Sequence, residues 1–504
     1  MKIKFFFIFC FILCLGSRTA AQTAFPSLEA APEAYEYGKR AAADPRPGNY
    51  WRNLAEAALW ASSVNAGAGA EAKAAAYMDR IAAAAAELAA DSALPRDPRE
   101  RGEHVLTFLH RRFLKSYSEY QTRVDEIFVS GRYNCVSSAV LYMILGFSVG
   151  LDVEGVMTRD HAFASAAAGD ERIDVETTNP YGFDPGNRKE FLDGFGRATG
   201  FAYVPAKNYR DRAVINPAEL VSLILSNRIA VLERGNRFAE AVPLGINRAV
   251  FLGVDISGEK NETAGADPGR AGFFEDPRRD MMNRLFNLGA YLIKTGKEDD
   301  VLAWTEYARK QFPDPERWQE FTKNAVNNKL VKLIRAQKAP AARTALESLK
   351  ERLNSEHYAA MDSMVLEAEA AERVNGIKSP GEVEETLAFL ARVWERLPEQ
   401  RRNEMRTAAL LKEAERLGKA RDWTGGMRWI NGSMERYGRE PRLESVLRSF
   451  RQNRIGELHN EFVSFYNRKD YAGAKASAER SLMEFPGERQ LLQDLGLAEK
   501  AQQR

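Results

Sequence analysis

The spacing of hydrophobic positions changes along this chain, and most of it predicts helices. Residues 26–100 are rich in alanine and have high helix propensity, and large apolar residues recur at helical spacing over residues 103–120. Residues 131–151 predict a turn and then a buried helix that is apolar on most faces. Three short β-like segments follow, at residues 153–157, 161–166 and 171–178. A helix followed by a small antiparallel sheet predicts a compact α+β core, which we place at residues 101–215.

From residue 219 onward the pattern changes to pairs of helices. Each pair has a short polar or glycine turn, and small residues in the second helix mark the contact between the two. The turn around Asp422 is repeated 48 residues later around Asp470. These pairs resemble tetratricopeptide repeats, with a period longer than the roughly 34 residues of the standard unit. We therefore expect an α-helical repeat array over residues 216–504, with a flexible insertion at residues 257–272.

The first 21 residues have the layout of a secretory signal peptide. Lys2 and Lys4 precede an apolar run that is too short to span a bilayer, and small residues follow at the expected cleavage site. We expect an exported protein of the periplasm or cell envelope that begins near Gln22 with a helical segment over residues 22–100. No transmembrane segment is expected once the signal is removed. An uncleaved anchor and lipidation at Cys14 remain as alternatives.

Charge and cysteine content narrow the classes of function. The 504 residues carry a formal net charge of +2, and the signal accounts for the basic excess. The mature chain is therefore close to neutral, which gives no support for nucleic-acid binding. Cys10 and Cys14 lie in the signal, so Cys135 is the only thiol expected in the mature protein. This excludes an internal disulfide and a zinc site built from several thiolates, and we predict no cofactor and no metal.

Cys135 lies at the start of the predicted buried helix. Asn134 is a good N-cap residue, so Cys135 falls in the first turn. In that position the helix macrodipole favours the thiolate form of a cysteine, and backbone N–H groups are placed to receive an oxyanion. The alternative interpretation is a buried, inert cysteine.

His161 is the only one of the five histidines in the β-like region. If Gly169 and Asp170 form a two-residue hairpin loop, His161, Asp174 and Glu176 lie on one face of the sheet. Glu176 is then diagonal to His161 and within side-chain reach, and Asp174 is one step further away. Glu176 is the better candidate to accept a hydrogen bond from the imidazole, with Asp174 held in reserve.

Cys135, His161 and Glu176 are therefore our candidate catalytic residues. A thiolate attacks a carbonyl carbon, an imidazole carries protons, and a carboxylate orients the imidazole. The resulting thioester is resolved by water or by an amine, so hydrolysis and acyl transfer both remain open.

The region resembles the transglutaminase-like superfamily, whose papain-related fold uses a Cys-His-Asp triad in this chain order. The resemblance covers about residues 100–215 and rests on YNCVSSAVLYMILGFSVGL, DHAF and IDVETTNPYGFDP. VETT is similar to the superfamily's V-D-x-T pattern, which maps its aspartate onto Glu176. The chain departs from the family in this Glu and in Phe163, where a tryptophan is frequent.

The resemblance implies an exported thiol hydrolase or acyltransferase that acts on amide or peptide bonds of a peptide or protein substrate. Peptidoglycan peptides, a protein target and a crosslinking amine acceptor all fit. The helical repeats would then recruit a protein partner. The alternative is a non-enzymatic envelope scaffold with an inactive core, in which the helix pairs bind a peptide or protein on their concave face.

Overall fold

The structure, a computed structural model, describes most of the chain after residue 24. It describes residues 25–503 except 45, 47, 65, 66, 68, 160, 187, 188, 200–211 and 257–275. The predicted signal peptide and the predicted insertion at residues 257–272 therefore lie outside the described residues. Within the described part the protein is α+β, mostly helical with a small amount of sheet, as the sequence predicts. No helix in that part is long and apolar enough to cross a membrane.

The described residues form 20 α-helices. These are α1 (Glu33–Ala41), α2 (Tyr50–Ala61), α3 (Ala70–Ala89), α4 (Pro98–Arg112), α5 (Val124–Ser130), α6 (Cys135–Ser148), α7 (Lys189–Thr199), α8 (Pro217–Arg234), α9 (Phe238–Phe251), α10 (Pro277–Lys294), α11 (Glu298–Gln311), α12 (Pro315–Arg335), α13 (Ala339–Ser348), α14 (Ser355–Gly376), α15 (Pro380–Val393), α16 (Glu399–Lys419), α17 (Trp423–Tyr437), α18 (Pro441–Asn467), α19 (Tyr471–Glu484) and α20 (Arg489–Gln502).

The described strands form a two-stranded parallel sheet and a four-stranded antiparallel sheet. The strands are β1 (Ser116–Tyr117), β2 (Arg132–Tyr133), β3 (Val153–Met157), β4 (Ala162–Ala168), β5 (Glu171–Val175) and β6 (Ala213–Ile215). The larger sheet has the order β5-β4-β3-β6. The third β-like segment is shorter than its sequence pattern indicates, because the chain turns away after Val175.

The hairpin between β4 and β5 has the register that the sequence predicts. Ala168 pairs with Glu171 and Ser165 pairs with Asp174, so Gly169 and Asp170 form the two-residue loop. Gly169 has a φ of +66°, a conformation that L side chains rarely adopt. The loop residues thus set which side chains share a face with the start of β4.

Helix α6 is the centre of the first hydrophobic core. It is buried along most of its length, as predicted, and packs against α2, α4, α8 and strand β4. The alanine-rich face of α2 is fully buried in the same core, because small side chains allow the helices to approach closely. The N-terminal helical segment is therefore packed directly onto the core that holds Cys135.

The chain divides into two compact units, one up to Phe321 and one from Thr322 onward. Both predicted internal boundaries, near residues 100 and 215, lie within the first unit, and the domain division stays a prediction. The repeated turn is a repeated N-cap: the Asp422 carboxylate accepts from the Gly425 N–H at 2.8 Å, and Asp470 accepts from Gly473 at 2.9 Å.

Candidate active site

Cys135 is the first residue of α6, where the sequence places it. Asn134 caps this helix: its side-chain oxygen accepts from the Ser137 N–H at 3.0 Å, and the Ser137 hydroxyl accepts from the Asn134 N–H at 3.0 Å. The amide group of Asn134 also donates to the Glu119 carbonyl at 3.1 Å. These contacts hold the helix start, and with it the half-buried free thiol of Cys135, in a fixed position.

Two backbone donors lie beside this thiol. The N–H groups of Cys135 and Val136 have no acceptor among the described residues, because they belong to the first turn of the helix. The next two N–H groups, of Ser137 and Ser138, are taken by Asn134. The start of α6 thus offers two donors and the positive end of a helix macrodipole next to a nucleophile.

His161 immediately precedes β4, and its ring lies between a carboxylate and the thiol. Its Nε2 is 2.5 Å from the Glu176 Oε2, and its side chain is 16% exposed. The Cys135 thiol lies beside the same side chain, where its interaction with the ring raises the pKa of His161. Since Nε2 faces Glu176, Nδ1 is the nitrogen left for the thiol. The structure therefore brings all three predicted residues together.

The charge state of His161 follows from these neighbours. Burial of the ring lowers its pKa, but the negative charge of Glu176 and the hydrogen bonds with Cys135 and Glu176 raise it. The upward effects are larger, so the pKa of His161 lies well above the ordinary 6.5. The imidazolium is favoured at neutral pH, which suits a proton donor beside a thiolate.

Glu176, rather than Asp174, is the carboxylate that contacts His161. Glu176 is 2% exposed, and its second oxygen accepts from the N–H and hydroxyl of Thr178 at 3.2 and 2.7 Å. Asp174 instead accepts two hydrogen bonds from Arg212, at 2.7 and 2.9 Å. Asp174, the second candidate, is therefore paired with Arg212, and the geometry supports Glu176 as the residue that orients His161.

A tight turn holds Glu176 just beyond the end of β5. The Glu176 N–H donates to the Gly182 carbonyl at 2.7 Å. A Cβ atom at position 182 would lie 1.9 Å from the Glu176 carbonyl oxygen, so only glycine allows the two backbones to come this close. This turn ends the strand and fixes the direction of the carboxylate.

Helix α7 and the hairpin supply the apolar walls around the imidazole. The ring of Phe195 contacts the His161 ring edge-to-face at 6.0 Å, and the ring of Phe163 lies at 6.1 Å. Phe195 is 4% exposed. These aromatic rings limit access of water to one side of the imidazole and hold it against Glu176.

Three further residues anchor the threonines that follow Glu176. His110 Nε2 lies 3.1 Å from the Thr177 carbonyl oxygen, and the Ser138 and Thr177 hydroxyls are 2.7 Å apart. The Tyr133 hydroxyl donates to the Thr178 carbonyl at 3.1 Å. The sequence does not predict these roles, because two of the three bonds go to backbone carbonyls, which any residue type provides.

The groups around this loop are held neutral. Burial lowers the pKa of His110 to about 4, against smaller upward effects of the Thr177 carbonyl and the Glu176 charge. Burial, and then the nearby Glu176 charge, raise the pKa of Tyr133 to about 12. Burial, and then the charge of Cys135, also raise the pKa of Tyr117. His110 and Tyr133, which hold the loop after Glu176, are therefore uncharged at neutral pH.

We expect the depressed pKa of His110 to make the fold acid-sensitive. The unfolded chain binds this proton near pH 6.5 and the folded chain only near pH 4, so stability is lost as the pH falls through this window. Between pH 7 and pH 5 the wild type should lose about 2 kcal/mol more unfolding free energy than His110→Gln, which has no titrating ring. Urea denaturation at both pH values measures the difference, and equal losses in the two proteins would contradict it.

The described residues contain no group of three or more His, Cys, Asp or Glu side chains arranged to hold a metal ion. No protein-family model matches the chain, and no curated protein or solved structure matches it.

Proposed function

We propose that this protein is an exported thiol hydrolase or acyltransferase of the transglutaminase-like type, acting on amide or peptide bonds of a peptide or protein substrate. The observation that carries the proposal is the position of His161: its Nε2 lies 2.5 Å from the buried Glu176 carboxylate, and the same ring lies beside the Cys135 thiol, which raises the pKa of the ring. Thioester chemistry needs a nucleophile, a base next to it, and a carboxylate that orients the base.

Each residue has a step in the reaction. The Cys135 thiolate attacks the substrate carbonyl carbon, and one electron pair of the carbon–oxygen double bond moves to the oxygen. The resulting oxyanion lies next to the N–H groups of Cys135 and Val136. The His161 imidazolium gives its proton to the departing amine as the carbon–nitrogen bond breaks, which leaves a thioester. Water or an acceptor amine then attacks, His161 takes the proton of that nucleophile, and the thiolate leaves. Glu176 keeps the ring oriented and supports its positive charge throughout.

The arrangement of the elements supports the family resemblance. The cysteine begins a buried helix, the histidine begins a strand of the antiparallel sheet that follows, and the carboxylate comes after the next strand. The usual aspartate is replaced by Glu176, which lies one residue beyond the end of β5. The longer side chain reaches the imidazole from that position.

The helical repeat region predicted over residues 216–504 has its own role in this proposal, which is to recruit a protein partner. It has the same role under the alternative, a non-enzymatic envelope scaffold. The two proposed functions differ in whether Cys135 reacts. A scaffold does not need an imidazolium between a thiol and a buried carboxylate, whereas a thiol enzyme does.

Trapping of the acyl-enzyme tests the proposal. The purified protein is incubated with peptide amides and with peptidoglycan fragments, quenched in acid and measured by intact mass spectrometry. We expect an added mass equal to the donor minus its leaving amine, on Cys135. Cys135→Ala should acquire no such mass. A wild-type protein whose Cys135 reacts with iodoacetamide no faster than a free cysteine, and which forms no adduct, would count against an active thiol.

A further inference from the structure

A second site of unusual composition lies in the compact unit that begins at Thr322. A cavity of about 690 Å³ opens between α15, α16 and α17 and the short turn that follows α15. Its lining includes four arginines and two aromatic rings: Arg392, Arg396, Arg406, Arg436, Trp394 and Tyr437. Clustered arginines in a concave site repel each other unless a ligand or a carboxylate balances them.

Aromatic rings hold two of these guanidinium groups in place. The Arg406 guanidinium lies 4.7 Å from the centre of the Trp394 ring and 5.4 Å from that of Tyr437. Arg436 lies 5.2 Å from the centre of the Tyr437 ring. Stacking on rings fixes the plane of a guanidinium without using its N–H donors. The donors are therefore available to a ligand in a preorganised arrangement.

The charges in the cavity are only partly balanced. Arg396 forms an ion pair with Asp362 at 2.6 Å. Among the described residues, Arg392, Arg406 and Arg436 have no carboxylate within ion-pair distance, and Arg406 donates only to the neutral Asn403 oxygen, at 3.0 Å.

Two carboxylates also line the cavity. Glu395 pairs with Arg402 at 3.2 Å, which leaves Glu384 as the single unpaired carboxylate of the described lining. Three unpaired guanidinium groups against one carboxylate give the site a net positive charge.

The floor of the cavity is apolar. Leu387 and Leu390 of α15 line it and are 8% and 1% exposed. A second cavity of about 410 Å³ shares Glu384, Leu387, Arg436 and Tyr437 with the first and continues past Trp429. The site is thus an elongated groove that combines an apolar floor with cationic walls, which suits an extended chain better than a small anion.

We propose that this groove binds an acidic peptide segment of a protein partner. Its carboxylates would accept paired hydrogen bonds from Arg392, Arg406 and Arg436, while an apolar side chain lies on Leu387 and Leu390. A polyphosphate backbone has no apolar group to lie on Leu387 and Leu390, and this favours a peptide. The proposal does not depend on the thiol chemistry, so Cys135→Ala should bind as the wild type does.

Fluorescence anisotropy with the full protein tests this site. The probe is a fluorescein-labelled eight-residue peptide of glutamate, aspartate, leucine and phenylalanine, and the matched peptide carries glutamine and asparagine at the acidic positions. We expect the acidic peptide to bind at least tenfold more tightly than its neutral match. Arg436→Gln, an exposed change, should weaken binding about tenfold, and Arg406→Gln should do the same if it folds.

Arg448→Gln is the matched control, because this exposed arginine of α18 has no ion pair among the described residues and lies outside the groove lining. It should leave the affinity unchanged. Equal binding of both peptides, or equal effects of Arg448→Gln and Arg436→Gln on the affinity, would each overturn the proposal. Sedimentation of a dimer that Arg436→Gln dissociates would assign the groove to a second copy of the chain and also overturn it.

Discussion

Replacing His161 with alanine should slow the alkylation of Cys135 at pH 6 by about thirtyfold or more. An ordinary cysteine is only about 0.3% thiolate at this pH, because its pKa is about 8.5. In the wild type the imidazolium, whose pKa lies well above 6.5, is charged at pH 6 and stabilises the negative charge that the neighbouring Cys135 sulfur carries as it reacts. Loss of the ring removes that charge, whereas at pH 9 the two proteins should react at more similar rates. Iodoacetamide kinetics followed by mass spectrometry from pH 5 to pH 9 measure the effect.

His104→Ala is the matched control for this experiment. His104 lies in the same compact unit and pairs with Asp91 at 3.0 Å, but it is not part of the site. Its removal should leave the alkylation profile unchanged. A His161→Ala protein that is folded by circular dichroism and alkylates at the wild-type rate at pH 6 would remove the basis for a thiolate–imidazolium pair.

The parts of the site that follow from local rules could be predicted from the sequence. Asn134 is an N-cap residue directly before Cys135, and the capping box confirms that position. Gly169 and Asp170 form the loop that sets the β4–β5 register, and this register brings Glu176 to His161. Each of these predictions depends on residues adjacent in sequence or on one hairpin. In a hairpin, side chains alternate between the two faces of the sheet, so few registers are possible.

The support around Glu176 could not be predicted in this way. His110 and Tyr133 bond to carbonyls that lie 67 and 45 residues further along the chain. Any residue type offers a backbone carbonyl, so the sequence contains no partner that would reveal these contacts. Strand β5, which precedes Glu176, also ends earlier than its composition indicates, because the close approach of Glu176 to Gly182 overrides β-propensity.

The arginine groove also depends on tertiary packing. Its residues come from α15, from the turn after it, and from α16 and α17, and in sequence each arginine is typical of a solvated helix face. The groove appears only when Trp394 and Tyr437 pack against Arg406. The repeated caps at Asp422 and Asp470 indicated helix pairs, but they could not indicate what those pairs bind.

Replacing Glu176 with glutamine should affect both reactivity and stability. The amide keeps the size of the side chain, and its oxygen can still accept from Thr178. The substitution removes the negative charge that lies 2.5 Å from His161 Nε2. Breaking one partner of a buried ion pair costs about 3 kcal/mol of unfolding free energy. The cost should be largest below pH 6.5 and decrease as the pH rises through the raised pKa of His161, because the pair contributes only while the ring is charged. Urea denaturation at pH 6 and pH 9 measures this dependence.

The same variant distinguishes two roles of Glu176, namely orienting His161 for the reaction and stabilising the fold. If Glu176 supports the imidazolium, Glu176→Gln should lower the alkylation rate of Cys135 at pH 6 at least tenfold. The rate is measured at a temperature at which the variant is folded. Asp174→Asn is the matched control, since Asp174 pairs with Arg212 and not with His161. It should alter stability without moving the alkylation profile. If Asp174→Asn lowered the reactivity of Cys135 and Glu176→Gln did not, the third position of the triad would belong to Asp174, and the contact at 2.5 Å would have only a structural role.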